Sequence, residues 1–372
     1  MQNLKGNNMV EWKTIGNSCK TISPPKKLGK EVYSEEGLYP IIDQGQKEIV
    51  GYTNDVTALV PQGEYILFGD HTRYVKYHKG QFAQGADGLK ILQVIDSILP
   101  RYFFYIFENT DVPSRGYSRH WSIAKELQIP IPTLSEQTRI VGILDTFTAS
   151  IENLKEQIKQ RRKQYEYYRD QLLDLEGKEG VEMKTLGDLC IIKNGYTPST
   201  KNPTFWENGS LPWFTLEDIR KNGRILKDAI KHITPLGVKK AGLFSKDSII
   251  ISTTATIGEY ALIGTDFLCN QQITCVSIKE NCKEQLLSNY LYYLADGIGK
   301  WCKRNVNGGG SLLIVSVSKL YNLIIPIPSL REQSRIVSIL DTFEASISNL
   351  EAQLKQREKQ YEYYRNKLLT FE

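Results

Sequence analysis

Loops that combine cationic, amide and hydroxyl side chains with aromatic rings occur in both halves of the chain, and this mixture suits contact with nucleic acid. Arginine and lysine contact phosphates, arginine pairs with guanine, and asparagine or glutamine pairs with adenine in the major groove. Each loop by itself could equally be an ordinary surface turn, so the prediction rests on their occurrence in both halves. The predicted DNA-contacting residues are Arg73, Lys76, Lys90, Arg115, Tyr117, Arg119 and His120 in the first half, and Thr197, Ser199, Lys201, Arg220, Lys221, Gln271, Gln272 and Asn307 in the second.

No residues in the sequence have the types and spacing of a catalytic or metal site. His71 and His120 lie near Asp70 and Arg119 in the chain, but no serine or cysteine stands in a nucleophile-elbow pattern. The six cysteines form no CxxC pair, which leaves no zinc pattern, and the chain has no Walker A sequence. We therefore predict no catalytic residue and no metal ligand, and we expect reduced, buried thiols.

The segment Asn202-Pro203-Thr204-Phe205 resembles the Asn-Pro-Pro-Phe/Tyr signature with which amino-methyltransferases hold a flipped base. It departs from that signature at the third position. No glycine-rich strand-to-helix turn for a methyl-donor cofactor precedes it. The sequence therefore gives little support for methyl transfer by this chain.

An internal repeat indicates which elements position the loops. Residues 129–173 match residues 325–369 without a gap, at an offset of 196, and 33 of the 45 positions are identical. A shorter match relates residues 10–16 to 181–187, with five of seven positions identical. The intervening segments differ in length by 25 residues and do not align obviously. The chain is therefore predicted to be a head and a helix followed by an unlike head and a nearly identical helix.

Each repeated segment is predicted to form one long helix. Thr133-x-x-Glu136 and Ser329-x-x-Glu332 have the spacing of capping boxes. Apolar positions then alternate in steps of four and three, which is the heptad period of a coiled coil. One position in each copy is arginine, and we expect it to fix the register through a carboxylate or carbonyl partner. The predicted seam contains Ile140, Leu144, Phe147, Ile151, Leu154, Arg161 and Tyr165 in the first helix, and Ile336, Leu340, Phe343, Ile347, Leu350, Arg357 and Tyr361 in the second.

These features predict an α+β fold with two mixed α/β heads, each followed by a long helix. The predicted boundaries are 1–133 and 177–329 for the heads, and 134–176 and 330–372 for the helices. The favoured arrangement pairs the two helices as an antiparallel coiled coil within the chain, with pseudo-two-fold symmetry. The alternatives are exposed single helices and helices that pair between chains.

The composition is typical of a folded protein of about two domains. The chain has 372 residues, of which 41% are hydrophobic, 10% aromatic and 24% charged, and this excludes a mostly disordered chain. The formal net charge is +5; residues 135–176 and 331–372 together carry −1, so +6 falls on the remaining segments. Because no run of 18 apolar residues and no secretory signal pattern occurs, we expect a cytoplasmic protein without a membrane segment.

Together these features resemble the specificity subunit of type I restriction-modification enzymes, and the resemblance covers essentially the whole chain. The family motif I-P-x-P-x-L-x-x-Q, which begins each long helix, matches residues 129–137 and 325–333. Residues 195–219 resemble the opening of many target-recognition domains of this family, and residues 39–46 with 85–92 resemble another group of them.

The resemblance implies a non-catalytic subunit whose heads are target-recognition domains for a bipartite, asymmetric site on double-stranded DNA. It also implies two methyltransferase (modification) subunits and two restriction/translocase subunits as partners. S-adenosylmethionine, ATP and magnesium would be bound by those partners, and no cofactor by this chain. Two alternatives remain open: a specificity subunit of a methyltransferase-only system, and a coiled-coil protein-interaction scaffold without DNA readout.

Overall fold

The computed structural model describes residues 10–116, 118–240, 242–307 and 313–371, which form two compact units. The first unit contains the described residues up to 156 together with those from 351 onward, and the second contains the described residues from 157 to 350. Each unit thus holds one head and parts of both long helices. The helices are α1 (Ile15–Ser18), α2 (Pro100–Glu108), α3 (Trp121–Ala124), α4 (Leu134–Leu173), α5 (Leu186–Leu189), α6 (Leu216–Asn222), α7 (Ser288–Arg304), α8 (Val317–Tyr321) and α9 (Leu330–Leu369).

The first head contains an antiparallel sheet and a second, mixed sheet. The strands are β1 (Glu11–Thr14), β2 (Cys19–Ile22), β3 (Tyr39–Ile42), β4 (Gly51–Thr53), β5 (Leu59–Val60), β6 (Glu64–Gly69), β7 (Val75–Lys79), β8 (Phe82–Gln84), β9 (Leu89–Val94) and β10 (Gln128–Ile131). The antiparallel sheet has the order β2-β9-β6-β7, and the second sheet has the order β4-β3-β8-β5 with β3 parallel to β8. β1 pairs with β10 directly before α4.

The second head repeats this plan with different loops. Its strands are β11 (Glu182–Thr185), β12 (Cys190–Asn194), β13 (Leu211–Phe214), β14 (Ile225–Leu226), β15 (His232–Ile233), β16 (Ser248–Ser252), β17 (Tyr260–Ile263), β18 (Leu268–Cys269), β19 (Ile273–Ile278) and β20 (Ile324–Ile327). The order β12-β19-β16-β17 matches the antiparallel sheet of the first head, and β14 is added at its edge. The order β15-β13-β18 repeats the mixed sheet, again with one parallel pair, β13 and β18. The two heads therefore share a plan of one mainly antiparallel sheet and a second, mixed sheet.

A buried glutamine joins each head to its long helix. Gln137, the last residue of the family motif, is fully buried; its amide oxygen accepts a hydrogen bond from the Leu99 backbone N–H (2.8 Å), and its amide nitrogen donates to the Pro132 carbonyl (2.9 Å). Gln333 makes the same bonds, to the Leu287 N–H (2.9 Å) and the Pro328 carbonyl (2.9 Å). A single side chain thus satisfies backbone groups of the strand-to-helix corner and of the neighbouring helix start.

The helices that begin after Leu99 and Leu287, α2 and α7, carry a second, shorter repeat. Leu99, Tyr102 and Tyr105 in the first head correspond to Leu287, Tyr290 and Tyr293 in the second, at an offset of 188. The Tyr102 hydroxyl donates to the Pro130 carbonyl (2.9 Å) and the Tyr290 hydroxyl to the Pro326 carbonyl (3.1 Å). The third residue of each set bonds an aspartate of the long helix, Tyr105 to Asp145 (2.6 Å) and Tyr293 to Asp341 (2.5 Å).

The long helices contact each other in both units. In the first unit, Phe147 lies near Tyr361 (ring centroids 6.5 Å apart) and stacks on Tyr364 (5.3 Å). Lys155, further along α4, forms an ion pair with Glu358, which comes earlier in α9, so the contacting segments run in opposite directions. In the second unit, Phe343 makes the equivalent contacts with Tyr165 (6.4 Å) and Tyr168 (5.5 Å).

The seam arginines contact aromatic rings, where the sequence led us to expect carboxylate or carbonyl partners. The Arg161 guanidinium lies 5.9 Å from the ring centre of Phe343, and the Arg357 guanidinium 5.6 Å from that of Phe147. A planar, weakly hydrated guanidinium packs well on an aromatic face in a half-buried site. The predicted partner type was therefore wrong, although the two arginines occupy equivalent places.

The helix starts show half of each predicted capping box. The Thr133 hydroxyl accepts from the Glu136 N–H (3.3 Å), and the Ser329 hydroxyl accepts from the Glu332 N–H (3.3 Å). The Glu136 carboxylate instead accepts two hydrogen bonds from Arg139, three residues further along the helix. The helices end at Leu173 and Leu369, three residues before the segment ends predicted at 176 and 372.

The cysteines and the hydropathy of the helices are the last features for which the sequence supports a prediction. All six cysteines are buried and free of disulfides, as expected. Within the described ranges, no helix has the combination of length and apolar character required to cross a membrane.

Candidate nucleic-acid interface

Three of the predicted loops of the first head meet at Asp70, directly after β6. The Asp70 N–H donates to the Gly88 carbonyl (2.6 Å), and the Asp70 carbonyl accepts from the His120 N–H (2.8 Å). The Asp70 carboxylate, almost fully buried, accepts from the Trp121 N–H (2.8 Å) and lies 3.7 Å from the Lys90 ammonium. The loops 69–74 and 85–88 and the described part of 112–120 are therefore joined at Asp70, and we call this arrangement the three-loop junction.

The second head has the same three-loop junction, centred on Thr253 directly after β16. The Thr253 N–H donates to the Gln272 carbonyl (3.0 Å), and the Thr253 carbonyl accepts from the Val315 N–H (2.9 Å). The loops joined here are 253–259, 270–272 and the described part of 305–315, which occupy the same places in the topology as those of the first head. Because the bonds are between backbone atoms, the junction is the same although the side chains differ.

A left-handed residue in each junction turns the loop that follows the central strand. Arg73 has a φ of 65° and Ala255 a φ of 63°, and neither is glycine. Side chains rarely adopt this conformation without compensation from the surrounding structure, and such residues cluster at functional sites. The Arg73 guanidinium donates to the Val112 carbonyl (2.8 Å), which ties this turn to the third loop.

Most predicted residues of the first head lie at its junction, but two of them are buried. Lys76 is 4% exposed and its ammonium donates to the Asp43 carbonyl (3.0 Å) and the Lys47 carbonyl (2.5 Å). His120 is fully buried; its Nδ1 donates to the Asp70 carbonyl (2.9 Å), and its Nε2 accepts from the Arg115 N–H (3.1 Å). Burial favours a role for both in holding the loops in place over direct contact with a base. Arg73, Arg115 and Arg119 are exposed, Lys90 is half-buried, and Tyr117 lies outside the described residues.

The first junction also includes residues that were not predicted. The Gln44 amide oxygen accepts from the His71 N–H (3.1 Å), and its amide nitrogen donates to the Asp87 carbonyl (3.1 Å), so Gln44 bridges two of the loops. The Asp87 carboxylate bonds Lys27 (2.6 Å), and Lys27, with a smaller contribution from Arg119, lowers the pKa of Asp87. The signal that could have identified Gln44 is its position two residues after the end of β3, where the chain turns.

The predicted hydroxyl and amide residues of the second head lie on neighbouring loops. The Thr197 hydroxyl donates to the exposed Gln271 side chain, and the Gln272 backbone N–H donates to the Asn270 side chain (3.1 Å). Asn307 is exposed and pairs with Ile314 through two backbone bonds (2.7 and 3.3 Å). Ser199 and Lys201 are exposed on the loop after β12. Residues 308–312, which follow Asn307 in the chain, lie outside the described residues.

Two predicted cations of the second head form ion pairs. The Arg220 guanidinium binds the Glu259 carboxylate (2.9 Å), and Lys221 binds Glu217 (2.6 Å). These carboxylates neutralise part of the charge that would attract a phosphate. Asp218 closes the N-terminal capping box of α6 with Thr215, so the acidic pair 217–218 starts a helix. In the parts of the chain that the structure describes, no group of three or more His, Cys, Asp or Glu residues could hold a metal ion.

Comparison with known proteins identifies the family of both halves. The family model for the type I restriction modification DNA specificity domain matches residues 8–161 and again residues 178–359. The chain is 34% identical to the EcoR124I/EcoR124II specificity subunit of a type I restriction enzyme from Escherichia coli, over 97% of this chain and 94% of that protein. It is also 27% identical to a putative type I restriction enzyme specificity subunit from Haemophilus influenzae, over 100% of this chain and 98% of that protein.

Solved structures share the fold at low sequence identity. The S subunit of a type I restriction-modification system from M. genitalium matches with a TM-score of 0.63 at 18% identity, covering 100% of this chain and 99% of that one. A chain from work on complex assembly and conformational transition of the type I R-M system matches with a TM-score of 0.60 at 16% identity, covering 98% and 97% of the two chains. These matches agree with a mixed α and β fold in which two similar heads accompany long helices.

Proposed function

The chain belongs to the family of type I restriction-modification DNA specificity domains, and from this premise we propose that its two heads read the two different halves of one split DNA target. The observation that carries the proposal is the three-loop junction, which recurs in both heads with different side chains. The first junction presents mainly arginines, which suit guanine and phosphate, and the second presents amides and hydroxyls, which suit adenine. Because the exposed residues differ, the two half-sites differ in sequence.

The two long helices pair within the chain as an antiparallel coiled coil, and an approximate two-fold axis relates the heads. Equivalent residues of the repeat support this arrangement because they exchange roles: Phe147 contacts Tyr361 and Tyr364, while Phe343 contacts Tyr165 and Tyr168. A two-fold axis produces such an exchange. The heads would then bind half-sites in opposite orientation, about ten base pairs apart from centre to centre.

The paired helices set the distance between the half-sites. Inserting or deleting a whole heptad in both copies preserves the seam and changes the separation of the heads by about 10 Å. The expected result is a changed spacer with unchanged half-sites. Changed half-sites at constant spacing would contradict this role of the helices.

The chain acts as a non-catalytic subunit that holds two methyltransferase subunits and two restriction/translocase subunits on DNA. The relatives support this assignment because they are named specificity subunits of type I restriction enzymes, and one structural relative comes from work on the assembly of such a system. S-adenosylmethionine, ATP and magnesium belong to those partners. A methyltransferase-only system shares these features, and copurification of a restriction subunit distinguishes the two.

The decisive experiment maps methylated bases in cells that express the partner methyltransferase with and without this chain. The expected result is methylation, only when the chain is present, at a site of two unlike half-sites with an unread spacer. Methylation that does not depend on the chain would refute the proposal. Absence of salt-sensitive duplex binding by the complex of chain and partner subunits would favour a protein-interaction scaffold.

A further inference from the structure

Helix α7 of the second head is longer than its counterpart α2 in the first. On the shared Leu-x-x-Tyr-x-x-Tyr pattern, the final residue of α2, Glu108, corresponds to Asp296 of α7, yet α7 continues to Arg304. The extension contains Lys300, Lys303 and Arg304, whereas α2 is followed by the uncharged residues 109 and 110 and the acidic residue 111. The second head therefore has a cationic helix end that the first head lacks.

This extension lies directly against the three-loop junction of the second head. Gly299 of α7 and Gly258 of the loop 253–259 approach so closely that a Cβ on Gly258 would lie 2.5 Å from the Gly299 carbonyl oxygen. The Lys303 side chain passes over the same glycine, because that Cβ would lie 2.9 Å from its Cε. The cations of the extension are thus held at the edge of a loop that belongs to the proposed reading surface.

The surrounding charges leave part of this cationic surface without a counterion. A cavity of about 380 Å³ between α6, α7 and the loop is lined by the cations Arg220, Arg224, Lys300 and Lys303 and the carboxylates of Glu259 and Asp296. Glu259 is bound by Arg220. Asp296 is bound by Lys300 (2.9 Å) and by Arg169 (3.2 Å). Lys303 and Arg304 are exposed, and no carboxylate within the described ranges pairs with them.

The helix dipole explains the sign of these charges in part, since cations stabilise the last turn of a helix. The helix dipole does not explain why α7 is two turns longer than α2, or why these turns pack against the loop 253–259 through Gly258 and Gly299. A DNA backbone does offer a ligand for unpaired cations beside base-reading loops, because phosphate contacts fix the register of a protein on the duplex.

We infer that the C-terminal end of α7 is a phosphate-binding element of the second head, in which Lys303 and Arg304 contact the DNA backbone. This inference rests on the proposed function. It assigns to the second head backbone contacts that have no counterpart in the first head. These contacts raise affinity on every sequence and leave the choice of bases unchanged.

The test measures duplex binding by the full chain in complex with its methyltransferase subunits. The probes are a 30-base-pair duplex of arbitrary sequence and a duplex with the site mapped by methylation. Binding constants are measured from 50 to 200 mM salt for the wild type and for the double variant Lys303→Gln/Arg304→Gln. Log K falls as log salt rises, and each lost phosphate contact makes this slope less steep by about 0.9. The slope of the double variant is therefore expected to be less steep by about two on both probes. The methylated site itself should stay the same.

Two further variants make the result specific. Lys246→Gln/Lys283→Gln removes two charges from the same head, at a cavity near the opposite end of β16, and is expected to leave the slope unchanged. Lys303→Arg/Arg304→Lys retains both charges and is expected to keep the wild-type slope. A wild-type slope for Lys303→Gln/Arg304→Gln, or an equal loss in the control, overturns the phosphate assignment. Failure of the wild-type complex to bind either probe would instead refute the proposed function.

Discussion

Replacing Gln137 with alanine should loosen the joint between the first head and its helix more than any surface substitution of the same helix. The side chain is fully buried and makes two short hydrogen bonds, from the Leu99 N–H (2.8 Å) and to the Pro132 carbonyl (2.9 Å). In the alanine variant both backbone groups lose this partner inside the protein. Each buried polar group without a partner costs about 1–3 kcal/mol, so the expected loss for the two groups is about 2–6 kcal/mol.

Hydrogen exchange is the appropriate measurement because two units need not unfold together. A destabilisation of about 2–6 kcal/mol corresponds to at least a thirtyfold increase in the exchange rate of joint amides, Leu99 in particular. Gln333→Ala provides a replicate in the second unit, where Leu287 has the equivalent bond (2.9 Å). Gln164→Ala, at an exposed position of the same helix as Gln137, is the control and should change stability by less than about 0.5 kcal/mol. An effect of Gln137→Ala no larger than this control would refute the reasoning.

Three further changes have expected outcomes that follow from the structure. Gly187→Ala should lower the thermal midpoint of the second unit, because the new Cβ would lie 2.1 Å from the Tyr321 ring. Gly142→Ala should instead raise stability by about 0.5–1 kcal/mol, because Gly142 is on an exposed helix face and its new Cβ would have nothing within 4 Å. A lowered midpoint for the Gly142 variant would contradict this expectation. Glu344→Gln should flatten the pH dependence of the stability of the second unit. Burial raises the pKa of Glu344 above 4.5, so its contribution to stability is present below that pH and is lost as the pH rises. Denaturation midpoints of the variant that fall between about pH 4 and 7 as they do in the wild type would disprove this prediction. Replacing both Arg161 and Arg357 with leucine should alter the oligomeric state or helix register, measured by light scattering and disulfide crosslinking; unchanged results would remove their role in register.

The sequence was sufficient to predict the long helices and two mixed α/β heads because these signals are local. A 45-residue repeat with heptad spacing predicts a paired helix without any knowledge of distant contacts. The repeated 10–16 and 181–187 segments likewise form equivalent strand-to-helix corners, at β1–α1 and β11–α5. Hydrophobic period and chain duplication therefore account for most of the architecture.

The details of the candidate site were less predictable because they depend on contacts between distant residues. Asp70 bonds backbone groups 18 and 50 residues away, and no local pattern indicates that these loops meet. Lys76 and His120 have the types of DNA-contacting residues, but the adjoining loops bury them. The tyrosine repeat at offset 188 is not evident from the sequence, because the two segments share only three spaced residues. Residue type and loop position can nominate such a site, and only the folded chain separates exposed side chains from supporting ones.

The backbone bonds of the three-loop junction have a consequence for how this protein can change over generations. Asp70 and Thr253 hold equivalent loops through main-chain N–H and carbonyl groups, which every residue except proline provides in full. Substitutions at neighbouring exposed positions can therefore alter which bases are preferred while the loops keep their places. A mutational path to a new target then need not pass through an unfolded head, because these backbone bonds remain when a neighbouring exposed side chain changes.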